Sequence, residues 1–107
     1  MKIEILYAPG CPNHQPTFER VQAVLASEAV KPRIQGIPVT TELEAKALLF
    51  PGSPTVRVNG DDVEPHQTSV PSLACRLYAN RIGIPSEELL RIAISVAKRK
   101  ERKFACE

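Results

Sequence analysis

The stretch TVRVNGDDV, residues 55 to 63, leaves the chain few local options. Two short runs, Thr55 to Val58 and Asp61 to Val63, flank Asn59-Gly60. A two-residue type I′ turn needs positive φ at both central positions, and Asn-Gly accepts them at little cost. The stretch therefore predicts a β-hairpin.

The rest of the chain is read outward from that hairpin. Residues 2 to 7, KIEILY, alternate charged and apolar side chains, with Ile3 and Ile5 sharing a face, and predict a strand. From about Pro16 to Glu28 the apolar positions Phe18, Val21, Val24 and Leu25 recur at helical spacing, and Pro16 suits a first turn. Residues 32 to 39, PRIQGIPV, carry β-branched residues together with Gly36 and Pro38, which suits an edge strand. Thr41 and Glu44 fit a capping box for a short helix running to about Leu49. Residues 65 to 72 read as loop. LACRLYANRIG, 73 to 83, fits either a short helix or an extended segment. From Ser86 to about Lys103 a helix is predicted, with Ser86 as cap and Glu87 and Glu88 in the positive first turn. Its expected buried stripe is Leu89, Ile92, Ala93 and Val96. The basic run Lys98 to Lys103 complements the negative end of that helix better than it suggests an anionic partner.

The order strand, helix, strand, helix, hairpin, helix is an α/β pattern in a layered sheet. At 107 residues it makes one domain, expected over 1–103, with 104–107 as a short flexible tail. Hydrophobic content of 43 % and charged content of 24 % are ordinary for a globular chain. A net charge of +2 is too small to imply nucleic acid. No apolar run approaches the roughly 20 residues of a membrane span, and the sequence opens on a strand pattern rather than a leader. A cytoplasmic protein, monomeric or weakly dimeric, without nucleic acid, membrane or cofactor, is the expectation. Three cysteines, an odd number, argue for thiol chemistry or inert thiols rather than a disulfide scaffold.

One of those thiols is unusually placed. In ILYAPGCPNHQPTFERV the apolar run breaks at Pro9-Gly10, presents Cys11, and passes through Pro12, Asn13 and His14 into the helix. A thiol there faces unpaired N–H groups and the positive end of a dipole, which favour thiolate over thiol. A loop between prolines is a poor place to fill a core and a good one for presentation. Asn13 suits the helix cap.

A strand ending in a Cys-Pro loop that opens a helix, followed later by GSPTV at the start of a hairpin, resembles the thioredoxin-like superfamily. The likeness extends to small bacterial members with a Cys-Pro-Asn loop and covers about residues 1 to 100. It implies a βαβαββα fold, a central four-stranded mixed sheet flanked by helices, and a cis Ser53-Pro54 bond opposite Cys11. The function it implies is thiol–disulfide exchange with a protein disulfide or a glutathione-type thiol. Cys11 would attack, with Pro12, Ser53, Pro54 and Thr55 meeting the partner, Thr55 through its backbone. The family's second cysteine is replaced here by His14, so a short-range disulfide is impossible. His14 is either a proton source for a leaving thiol or a surface residue of the first turn.

If the first strand runs toward the thiol, the loop after Val63 returns to the same end of the sheet. Cys75 is then a candidate resolving thiol, or else an inert one beside Leu73. Cys106 reads as an ordinary tail thiol. Two alternatives come from other classes. Cys11 and His14 with Cys75 and His66 supply ligand types for zinc, copper or mercury, although Cys-X2-His is half a site. A redox-inert thioredoxin-like binding module would need neither reactivity nor metal.

Overall fold

A computed structural model describes residues 1–64, 73, 76, 78 and 83–105. Strand β1 (Lys2–Tyr7) is followed by helix α1 (His14–Ser27), strand β2 (Arg33–Pro38), helix α2 (Glu42–Ala47), strands β3 (Thr55–Val58) and β4 (Asp61–Asp62), and helix α3 (Glu87–Ala105). The strands form an open mixed sheet in the order β2-β1-β3-β4. β1 runs parallel to β2, with Tyr7 opposite Pro38, and antiparallel to β3, with Leu6 opposite Thr55. Pro38 lies in an edge strand, where the missing N–H removes no ladder bond on the open side. Asn59 and Gly60 take φ of 52° and 88° and join β3 to β4, as the hairpin motif predicts.

The sheet buries both faces. Ile3 and Ile5 of β1 join Val56 and Val58 of β3 against Val21, Val24 and Leu25 of α1 and Leu90, Ile94 and Ala97 of α3. On a second cluster, Leu6, Val39, Ala45 and Phe50 close the α2 side. Alternation along β1 sends its residues to the two layers in turn.

The buried stripe of α3 differs from the expected one. Leu90, Ile94 and Ala97 are inward, whereas Ile92 is 56 % and Val96 is 41 % exposed. Leu89 and Ala93 pack against the core only in part. Both stripes satisfy i, i+4, i+7 spacing, so packing against α1 and β3, rather than periodicity, sets the rotation. Ser86 does cap the helix, its Oγ accepting the Leu89 N–H at 3.1 Å. The helix continues through residues 104 and 105, which were expected in the tail.

Both shorter helices end in the same way. After α1, Ala29 takes φ 53°, with its N–H on Ala26 O and the Val30 N–H on Leu25 O. After α2, Leu49 takes φ 53°, with its N–H on Lys46 O and the Phe50 N–H on Ala45 O. These are Schellman closures, built without the glycine that usually fills the left-handed position. The start of α2 follows the capping-box reading in part. Thr41 Oγ1 accepts the Glu44 N–H at 3.1 Å, but Glu44 returns its carboxylate to Thr40, whose Oγ1 donates at 2.8 Å. Arg57 of β3 donates to Leu48 O at 2.7 Å and ties the end of α2 to the sheet.

Candidate thiol site

Cys11 follows the end of β1 across a compact turn. Gly10 takes φ 81°, a conformation that glycine adopts at no steric cost. The Cys11 N–H donates to Ala8 O at 3.1 Å, and Cys11 O accepts the His14 N–H at 3.3 Å. The thiol is free and its residue half-buried, just ahead of the first turn of α1. Pro12 is exposed beside it.

Asn13 occupies the N-cap position of α1, but its side chain makes no capping bond. The carboxamide lies instead on Gly83, where an added Cβ would collide with Asn13 Nδ2. The capping role expected from sequence is thus corrected. The side chain lies against the segment that leads into α3, and a residue larger than glycine at position 83 would push the Asn13 amide aside.

The segment Gly52 to Thr55 lies beside this loop. The Ser53-Pro54 peptide bond is cis, and Gly52 takes φ 141°. Ser53 Oγ accepts the Ala8 N–H at 2.9 Å. Ala8 therefore uses its carbonyl on Cys11 and its N–H on Ser53. Ser53, Pro54 and Thr55 are all buried. Thr55 Oγ1 donates to Gly52 O at 2.7 Å, and its backbone belongs to the ladder with Leu6. These residues, which the resemblance has meeting a partner, form a buried wall beside the thiol loop.

Arg76 and Tyr78 hold that wall in place. The Arg76 N–H donates to Ser53 O at 2.9 Å. Tyr78 Oη donates to Pro54 O at 2.6 Å. The Arg76 guanidinium donates to Thr55 Oγ1 at 3.2 Å. Three consecutive residues, Ser53, Pro54 and Thr55, are thereby each bonded to Arg76 or Tyr78.

The guanidinium itself is 2 % exposed as part of its residue and pairs with Asp62 through two bonds, 2.8 and 3.0 Å. It also donates to Glu64 O at 3.2 Å and lies 4.4 Å from the centre of the Tyr78 ring. Such a fork-on-carboxylate pair supplies the geometry and counter-charge a buried cation requires. Burial pushes the Tyr78 phenol well above its ordinary value, an effect the Arg76 charge only partly offsets.

The His14 ring stacks on Tyr7, with centroids 3.6 Å apart and planes 12° from parallel. Among the described residues, no hydrogen bond joins that ring to the Cys11 thiol. Nor do the described residues bring three or more His, Cys, Asp or Glu side chains together for a metal. Cys75, His66 and Cys106 lie outside the described residues. Arg76, the residue after Cys75, donates its N–H to Ser53 O, so the chain at Arg76 lies at this end of the sheet. No family model, curated protein or solved structure matches the chain.

Sequence reading missed Arg76, Asp62, Tyr78 and Gly83. Arg76 sits between two leucine-containing steps in LACRLY, where a cation facing inward is anomalous, and that was the available signal. Among the described residues, no helix is long and apolar enough to cross a membrane.

Proposed function

We propose that this is a thioredoxin-like thiol protein that acts by thiol–disulfide exchange through Cys11. The supporting observation is the double use of Ala8, which keeps the thiol loop and the Ser53–Pro54 segment in fixed register. A half-exposed thiol at a helix start, backed by a braced wall, suits in-line attack on a partner sulfur better than core filling.

The Cys11 thiolate attacks one sulfur of a disulfide RS–SR, forming Cys11–S–S–R and releasing RS⁻. A second thiolate, from Cys75 or from an external glutathione-type thiol, attacks the Cys11 sulfur of the mixed disulfide, releasing the second RS⁻ and forming a Cys11–Cys75 disulfide or a Cys11 adduct of the external thiol. Two electrons pass from the thiols to the substrate. Pro12 borders the open side, while Ser53, Pro54 and Thr55 act from behind. The Tyr7–His14 stack fixes the imidazole in the first turn, close in sequence to the reacting sulfur.

An aromatic disulfide that releases a coloured thiolate tests the reading. Wild type is expected to react at Cys11 in one rapid phase that Cys11→Ser lacks. Identical traces for the two proteins would assign Cys11 to a redox-inert module.

A further inference from the structure

Arg76, Asp62 and Tyr78 are more elaborate than the stability of a small domain requires. A buried ion pair contributes little compared with apolar residues of similar volume, because both charges lose their hydration. What this pair does is geometric. It seats the Arg76 guanidinium so that its fork reaches Thr55 Oγ1, while the Arg76 N–H holds Ser53 O and Tyr78 Oη holds Pro54 O.

We propose that Arg76 and Tyr78 are positioning residues of the thiol site, fixing the Ser53–Thr55 wall against which a partner sulfur aligns with Cys11, and that Asp62 is the anchor holding Arg76 in that place. This rests on the exchange reading above. Among the described residues, neither side chain is bonded to the Cys11 sulfur; each acts through the wall. The device links the hairpin, through Asp62 in β4, to the residues before β3. In-line exchange depends on three sulfurs reaching a linear arrangement, so a displaced wall slows exchange without changing the intrinsic reactivity of the thiol. Alkylation by iodoacetamide makes no such demand. The two reactions therefore separate positioning from thiol reactivity.

Tyr78→Phe removes one hydroxyl and leaves the ring. Arg76→Met with Asp62→Leu removes both charges together, so neither is left buried without its partner. Rates of glutathione-disulfide exchange and of iodoacetamide alkylation are read at the Cys11 peptide by mass spectrometry, on full-length protein whose folded fraction is fixed by circular dichroism. Both variants are expected to lose about tenfold in exchange with alkylation within about twofold of wild type. Arg76→Lys, which keeps the charge without the fork, is expected to fall between. Folded variants with wild-type exchange would overturn the positioning role and leave the exchange reading intact. Absence of exchange in wild type would overturn both.

Discussion

Ala8 donates its N–H to Ser53 Oγ at 2.9 Å, so the residue before the Pro-Gly-Cys turn is fastened to the residue before Pro54. The two lie far apart in sequence and meet where β1 ends and β3 is about to begin. Replacing Ser53 by Ala leaves a half-buried N–H without its acceptor. Such a loss costs about 1–2 kcal/mol. Urea denaturation is expected to show a lower midpoint at unchanged slope, and an unchanged midpoint would remove Ser53 from the account.

Leu49 pays for its left-handed backbone without using its side chain, which is 73 % exposed. A non-glycine residue there is disfavoured by about 1–2 kcal/mol, and glycine costs about 0.5–1 kcal/mol more unfolded-chain entropy. Leu49→Gly is therefore expected to stabilise the protein by about 0.5 kcal/mol. Thermal melting that shifts downward would contradict the Schellman closure of α2.

The rotation of α3 makes a paired prediction. Ile94→Ala empties a fully buried position and is expected to cost about 2–5 kcal/mol. Ile92→Ala, at a mainly exposed position, is expected to stay within about 0.5 kcal/mol of wild type. The reverse ranking in denaturant titrations would restore the stripe read from sequence.

Tyr78 gives the protein an alkaline weakness. Burial raises its folded-state value above the ordinary 10.0, so the folded protein keeps a proton that the unfolded chain has lost. The resulting stability is fully present below about pH 10 and declines as pH rises beyond it, by at most about 1.4 kcal/mol per pH unit. Tyr78→Phe starts lower by about 1 kcal/mol for the lost bond to Pro54 O. It is expected to lack the Tyr78 share of the decline. Parallel pH profiles for the two proteins between about pH 8 and about pH 11 would contradict this.

What was legible in the sequence was local. Asn59-Gly60 and the Thr41–Glu44 cap carry their conformations in neighbouring side chains, and both appear at the expected places. The phase of α3 was not legible, because Leu89, Leu90, Ile92, Ala93, Ile94, Val96 and Ala97 offer more apolar positions than one face holds. Only contact with α1 and β3 selects among them. Asn13 was a reasonable cap by type, and no local rule announces that Gly83 will come to lie beneath it. The Arg76–Asp62 pair was invisible for a similar reason: its partners are separated by 14 residues, and charged residues read by default as surface. The likeness of motif order implies that Cys11 and Pro54 face one another; the bond from Ala8 N–H to Ser53 Oγ, which joins their two segments, emerged only from the fold.

Exchange at Cys11 is the central claim. The most direct measurement is peptide mapping by mass spectrometry of Cys106→Ser protein after mild oxidation, with and without glutathione. The account predicts that Cys11 is found in a disulfide, either crosslinked to Cys75 or as a glutathione adduct. A Cys11 that stays reduced and unmodified under both conditions would contradict it.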